Sequence, residues 1–174
     1  MITAILITKE KEYPPEILAT IPEEYEVIIE TECPSILRRY ELVEKAKGDI
    51  IYVQDDDCVI DVKELEEKYN GQITNNMTQH HFNWYNGSGI TLVGWGCFFP
   101  KEMVNFDRYL DKYPIDKLFL READRVFTYL NQPHNTFVSN IINLPTATLG
   151  DRMSSTGEHW ETLSQIKERL YALS

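Results

Sequence analysis

The chain has 174 residues, of which 43% are hydrophobic and 26% charged, an ordinary composition for a soluble globular protein. Its 17 basic and 28 acidic residues give a formal charge of −11, so the chain as a whole is not attracted to phosphate backbones. No stretch approaches the ~18 apolar residues of a membrane span. The composition therefore argues against broad nucleic-acid affinity and against a membrane-spanning protein.

The length favours one domain, because a chain of this size buries about 70% of its unfolded surface. The N-terminal apolar run is short and lacks a basic flank, so we interpret it as a strand and not as a signal peptide. The three cysteines, Cys33, Cys58 and Cys97, are widely spaced and show no metal-finger pattern. A reducing, cytoplasmic location is the simplest expectation.

The first part of the chain alternates predicted strands and helices. Strands are predicted at residues 2–8, 25–30 and 50–54, with a short helix at 16–19 and a longer one at 34–48. Such alternation is typical of a parallel, right-handed α/β sheet.

The second part is less regular. The prediction gives a short strand at 72–74, an aromatic and glycine-rich stretch at 79–89, a strand at 90–99, a helix at 117–130, a strand at 136–144 and a final helix at 160–173. The fold class predicted from these elements is α/β.

Three consecutive aspartates, Asp55, Asp56 and Asp57, directly follow the apolar strand predicted at 50–54. In open α/β sheets, ligands bind outside the carboxyl ends of the strands. Three like charges at such a position repel one another, and a bound cation would relieve that repulsion. We therefore expect the aspartates to bind a metal ion and a nucleotide.

The acidic run is also compatible with a solvated loop that leads to a helix capped by Asp61. An EF-hand calcium loop beginning at Asp55 would place acidic residues at several of the ligand positions. That loop is excluded, because Ile60 occupies the position that requires glycine and a strand precedes the loop where a helix is needed.

Taken in chain order, these features resemble the GT-A class of nucleotide-sugar glycosyltransferases, similar to glycosyltransferase family 2. That class has an opening strand, an arginine before the strand that carries the metal site, an Asp-x-Asp (DXD) signature, a glycine-rich strand with a bulky residue, an acidic pair that opens a helix, and a late histidine. The matching features here are residues 2–8, Arg39, Asp55-Asp56-Asp57, Gly94-Trp95-Gly96, Glu122-Ala123-Asp124 and His159.

The resemblance implies a Rossmann-like, mixed and mainly parallel sheet flanked by helices. It implies a single domain over residues 1–174, with a nucleotide-binding half at 1–60 and an acceptor and catalytic half at 61–174. Two features depart from the pattern: Tyr40 follows Arg39 where asparagine is usual, and Ala123 separates the acidic pair.

The metal site implied by the resemblance holds Mn²⁺ or Mg²⁺ on Asp57, with Asp55 and His159 as further ligands. Asp55 or Asp56 would contact the ribose or the donor sugar. Since alternate residues of an extended chain point the same way, we expect Asp55 and Asp57 to share one side and Asp56 to face the other. An ordinary histidine at the start of a helix is the alternative for His159.

The remaining predicted site residues would bind the donor or accept a proton. The donor-binding residues are Thr8, Lys9 and Glu30 for the nucleoside, Arg39 and Arg152 for the diphosphate, and Gly94, Trp95 and Gly96 for close backbone approach and stacking. Asp124 is the predicted general base and Glu122 its rival. His80, His81, Trp84 and Tyr85 are expected to line the acceptor cleft.

The predicted function is metal-dependent transfer of a sugar from a nucleotide-diphosphate sugar, with UDP-sugar favoured, to a hydroxyl acceptor. The acceptor is a saccharide, a small molecule or a hydroxylated base in DNA, and inversion is favoured over retention. A nucleotidyltransferase needs a glycine-rich loop after the first strand, which Thr8-Lys9-Glu10-Lys11 does not provide. A non-catalytic nucleotide- or sugar-binding module is the other alternative.

Overall fold

The computed structural model describes residues 1–145 and 157–173, with the backbone alone for residues 157–159. Its first three strands are β1 (Ile2–Ile7), β2 (Glu26–Glu30) and β3 (Ile50–Gln54). They are parallel, with β1 between the other two. β1 and β3 are almost continuously apolar and buried, as expected for strands covered on both faces of a sheet.

Three further strands complete the main sheet: β5 (Thr74–Met77), β6 (Cys97–Pro100) and β7 (Asn135–Val138). The strand order is β2-β1-β3-β6-β5-β7, and of these described strands β6 alone runs antiparallel to its neighbours. The mixed, mainly parallel α/β sheet predicted from the sequence is thereby confirmed. The carboxyl ends of β1, β2 and β3 lie at one edge of this sheet.

A second, two-stranded antiparallel sheet pairs β4 (Cys58–Val59) with β8 (Ile142–Asn143). β4 begins directly after the three aspartates. The backbone N–H of Leu144 donates to the carbonyl of Asp57 at 2.7 Å. The small sheet therefore fixes the point at which the acidic segment ends.

Seven α-helices and two 3₁₀ turns are described. The helices are α1 (Pro15–Leu18), α2 (Arg38–Glu41), α3 (Val62–Lys68), α4 (Gln79–Tyr85), α5 (Asp107–Leu110), α6 (Lys117–Leu130) and α7 (Gly157–Tyr171), and the 3₁₀ turns are Leu42–Lys45 and Lys101–Met103. Side-chain oxygens of Asp61, Thr78 and Asp116 accept backbone N–H groups at the starts of α3, α4 and α6.

The core consists of two apolar clusters, and alternating residues of one strand contribute to each. Ile51 and Val53 of β3 belong to the cluster that contains buried residues of α6 and α7, whereas Tyr52 belongs to the cluster that contains residues of α1 and α3. Phe98 and Phe99 of β6 divide in the same way. Each buried phenylalanine stabilises the fold by about 1.5–3 kcal/mol.

Several predicted boundaries were wrong. The helix predicted at 34–48 is reduced to α2 and a 3₁₀ turn, the strand predicted at 72–74 forms later as β5, and the strand predicted at 136–144 divides into β7 and β8. The strand predicted at 90–99 forms only at Cys97–Pro100, because Gly96, at φ +91°, turns the chain directly before β6. The stretch at 79–89 contains α4, a helix that was not predicted.

Two smaller expectations concern cysteines and membrane spans. The thiols of Cys33, Cys58 and Cys97 are buried and free of disulfide bonds. Over residues 1–145 and 157–173, none of the helices combines the length and the apolar character needed to cross a bilayer.

Candidate functional site

The end of β3 is fixed by contacts to its backbone. The N–H of Asp55 donates to the carbonyl of Gly94 at 2.7 Å. The Tyr13 hydroxyl lies 3.1 Å from the carbonyls of both Gln54 and Asp55, and the Gln54 side-chain amide donates to the Cys58 carbonyl at 2.6 Å. Because both sides of the acidic segment are hydrogen-bonded, the aspartates occupy a defined turn and not a loose loop.

Gly94 is required by its contact with Asp55. A Cβ atom at Gly94 would lie 1.9 Å from the nearer carboxylate oxygen of Asp55, far inside van der Waals contact. The glycine of the predicted Gly94-Trp95-Gly96 motif therefore lets the loop approach the acidic turn. Trp95 lies between this contact and the start of β6, and its ring is partly buried.

The three aspartates diverge. The chain leaves the strand at Asp55 and turns at residues 56 and 57, so the expectation that Asp55 and Asp57 share one side of an extended chain was wrong. The Asp55 carboxylate accepts from Arg39, and the Asp56 carboxylate accepts from the hydroxyl of Thr8. Asp57 lies beside the thiol of Cys58, and all three aspartates are half-buried.

Arg39 joins two carboxylates that are distant in sequence. Its guanidinium is 2% exposed and pairs through one terminal nitrogen with Asp55 and through the other, at 3.4 Å, with Asp124 of α6. The contact of Arg39 with a diphosphate stays a prediction. In this arrangement both terminal nitrogens donate to carboxylates, so Arg39 positions the acidic turn relative to α6.

Asp124 is the carboxylate of α6 that the site can use. The Tyr40 hydroxyl donates to it at 2.7 Å, and its side chain is 19% exposed. Burial raises the pKa of the Asp124 carboxyl above its ordinary value, the attraction of Arg39 opposes this shift, and the repulsion of Asp55 adds to it. A carboxylate with a raised pKa is a better proton acceptor near neutral pH.

Glu122, the rival base, has a different environment. Its side chain is fully buried and forms an ion pair with Arg125, and Arg121 Nε lies 4.0 Å from its other oxygen. The backbone at Glu122 has φ −113° and ψ 16°, which interrupts the regular helix. An acceptor cannot reach a carboxylate enclosed in this way, so the geometry favours Asp124.

The predicted nucleoside-binding residues lie where the parallel strands end. Thr8, after β1, is buried and holds Asp56, while Lys9 is exposed. Glu30 pairs with Ile7 in the sheet register, and Arg38 binds its carboxylate with two hydrogen bonds of 2.5 and 2.9 Å. These bonds lower the pKa of Glu30, so it is an ionised acceptor at the sheet edge.

The predicted metal site can be compared with the side chains that could act as metal ligands. Arg152 and the side chain of His159 lie outside the described residues, and among those described no group of three His, Cys, Asp or Glu side chains could hold a metal. Mg²⁺ usually takes one or two protein carboxylates and completes its shell with water and substrate phosphates. The carboxylates of the acidic turn fit such an ion by donor type.

Three residues of this network were not predicted from the sequence. Tyr13 caps the end of β3, Gln54 fixes the turn, and Tyr40 donates to Asp124. Gln54 carried a signal, because it is a polar residue at the end of an otherwise apolar strand. In the sequence, Tyr40 stands out only as a departure from a family pattern.

No model of a known protein family matches the chain, and no curated protein matches it in sequence. In three dimensions the chain is similar to the crystal structure of A197 from STIV, with a TM-score of 0.52 and 12% sequence identity. The similarity covers 84% of this chain and 87% of A197. At this identity the likeness concerns the fold, and it extends over most of both chains.

Proposed function

We propose that this protein is a metal-dependent glycosyltransferase that moves a sugar from a nucleotide-diphosphate sugar to a hydroxyl acceptor. One observation carries the proposal: buried Arg39 joins Asp55, at the carboxyl end of β3, to Asp124 of α6. Ligands of open α/β sheets bind at this edge. A donor held at the acidic turn would therefore lie beside a carboxylate able to accept a proton.

The donor would be held by the strand ends. Asp56, oriented by Thr8, is suited to accept hydrogen bonds from the ribose or the donor sugar. Asp57 would hold Mg²⁺ or Mn²⁺, which when bound neutralises charge on the departing diphosphate. Asp55, already paired with Arg39, would help to fix the turn. Arg152 and His159 remain predicted contributors, and a UDP-sugar is the favoured donor.

The acceptor hydroxyl would lose its proton to Asp124. Arg39 and Tyr40 keep this carboxylate oriented, and burial keeps its pKa above the ordinary value. General base catalysis of this kind contributes about 10²–10⁴-fold to the rate. A base that activates the acceptor directly supports a single displacement, and hence inversion at the sugar carbon.

The test is calorimetric titration of UDP with and without Mn²⁺. The wild-type protein should bind UDP more tightly with the metal, and Asp57→Ala should lose that difference. Asp111→Ala is the matched control, because it removes an exposed carboxylate at the end of α5. If Asp57→Ala retains the full effect of Mn²⁺, the metal assignment is wrong.

Slow hydrolysis of a UDP-sugar, in which water takes the place of the acceptor and UDP is released, separates an enzyme from a binding module. The proposal predicts that the wild-type protein releases UDP in a metal-dependent reaction. Metal-dependent UDP binding without any release would indicate a non-catalytic nucleotide-binding protein.

A further inference from the structure

Helix α4 carries more rings than its packing explains. Its seven residues, Gln79–Tyr85, include five with rings: His80, His81, Phe82, Trp84 and Tyr85. None of the residues of this helix is fully buried. Surface helices of globular proteins normally bury an apolar stripe against the core. Tyr85 packs partly buried against the core, whereas the rings of His80 and Trp84 are exposed and available for other contacts.

Five rings form a continuous surface, which we call the aromatic ladder: Trp95, His81, His80, Trp84 and Trp160. Successive ring centroids are separated by 4.5, 5.3, 5.7 and 5.7 Å. These spacings are those of interacting aromatic pairs. Each ring of the ladder is therefore in contact with the next.

The ladder begins at the candidate site. Trp95 directly follows Gly94, which packs against the Asp55 carboxylate. At the other end, Trp84 and Trp160 are 61% and 53% exposed. A molecule bound along the ladder would reach from open solvent to the acidic turn at Asp55.

The chemistry of the ladder favours an uncharged ligand with C–H-rich faces. Aromatic faces carry negative charge density and attract the weakly positive C–H groups of a sugar ring. Helix α4 contains no lysine or arginine, and the chain has a formal charge of −11, so a phosphate backbone would find no counter-charge on this helix. Stacking without counter-charge suits a neutral sugar better than a nucleic acid.

We propose that the aromatic ladder is the acceptor subsite and that the acceptor is a neutral saccharide. This inference rests on the proposed function and assigns the substrate class that the function left open. Trp84 and Trp160 would stack on sugar units distant from the transfer, and Trp95 would contact the sugar unit nearest to the acidic turn.

The experiment measures by calorimetric titration the binding of cellotetraose, maltotetraose or N-acetylated chitotetraose to the UDP- and Mn²⁺-saturated protein. At least one saccharide should bind the wild-type protein, and Trp84→Ala should weaken this binding by about tenfold or more. Trp84→Phe keeps a ring and should retain most of the affinity. Trp84 is exposed, so neither change should disturb folding.

Ile115→Ala is the matched control, since Ile115 is also 61% exposed and precedes Asp116, which pairs with Arg169 near the far end of α7. Its saccharide binding should equal that of the wild type. The inference is overturned if none of the three saccharides binds, or if Trp84→Ala binds as tightly as the wild type. It is also overturned if the protein binds a single-stranded oligodeoxynucleotide but none of the saccharides, and Trp84→Ala loses that binding.

Release of UDP without acceptor, measured on the same variants, keeps the two proposals apart. Ile115→Ala should keep both this basal release and its stimulation by saccharide, whereas Trp84→Ala should lose the stimulation. If the wild type releases no UDP, the proposed function fails whatever the saccharides do. If the wild type releases UDP and saccharide stimulation survives in Trp84→Ala, the acceptor subsite alone is wrong.

Discussion

Asp124 and Glu122 lie two residues apart on α6, and arginine side chains hold both. Asp124 is 19% exposed and connects through Arg39 to Asp55, whose side chain is 41% exposed. Glu122 is fully buried, and the side chains of Arg125 and Arg121 beside it are only 11% and 12% exposed. A carboxylate paired with arginine thus occurs twice on α6, at Asp124 beside the acidic turn and at Glu122 inside the protein.

The comparison separates accessibility from residue type. Both carboxylates would qualify as bases from the sequence, but a base must come within hydrogen-bond reach of the proton that it removes. Asp124 retains an exposed surface beside the acidic turn, whereas Glu122 is enclosed at a break in the helix. In the proposed reaction the comparison therefore favours Asp124 as the base, whereas Glu122 pairs with arginines inside the protein.

The largest expected effect on catalysis comes from Asp124→Asn. Asparagine keeps the size of the side chain, and its amide oxygen can accept from Arg39 while its NH₂ group donates to the Tyr40 hydroxyl, but it cannot accept a proton. Transfer to an acceptor should fall by about 10²–10⁴-fold with UDP binding retained. Single-turnover transfer and calorimetric UDP binding, measured on one preparation, give both quantities.

The pH profile provides the control for this change. Because burial raises the pKa of Asp124 and its ionised form is the active one, the wild-type rate should rise with pH through a limb above the ordinary aspartate value of 3.8. Asp124→Asn should lack that limb. An unchanged rate and an unchanged limb in this variant would remove Asp124 from the mechanism.

Glu122→Gln should show the opposite behaviour, with a smaller effect on catalysis and a clear effect on folding. It leaves the buried guanidinium of Arg125 without its charged partner, and loss of one partner of a buried ion pair costs about 3–5 kcal/mol. Urea denaturation should give this loss in the free energy of unfolding. The rate per folded molecule should stay close to that of the wild type.

The two variants form a matched pair, because each replaces one α6 carboxylate by its amide. A stable Glu122→Gln protein that has lost transfer activity would reverse the assignment and make Glu122 the base. Loss of stability together with loss of activity in both variants would show that the two arginine clusters act as one unit.

Local sequence patterns predicted the parts of the fold in which neighbouring residues decide the structure. The apolar run at 50–54 became β3, and the predicted helix at 117–130 became α6 without change of boundary. The helix at α4 was missed although Thr78 is a helix-capping residue directly before it. From the sequence, this stretch was described only as aromatic and glycine-rich.

The side-chain contacts within the site could not be predicted from local sequence patterns. Arg39 and Asp124 are 85 residues apart, and their pairing depends on how α2 and α6 pack against the sheet. The enclosure of Glu122 depends on a break in helix α6. The sequence of this helix contains no glycine or proline that would predict such a break. The acidic turn was placed correctly at the end of β3, but the directions of its side chains depended on Arg39 and Thr8.

The most direct test of the account is a crystal of the wild-type protein grown with UDP and Mn²⁺, with diffraction data collected at the manganese absorption edge. We expect one anomalous peak that is bonded to an oxygen of the Asp55–Asp57 turn and to the diphosphate, with Asp124 facing the same cleft. A diphosphate bound elsewhere, or bound at this edge with the manganese away from all three aspartates, would contradict the account.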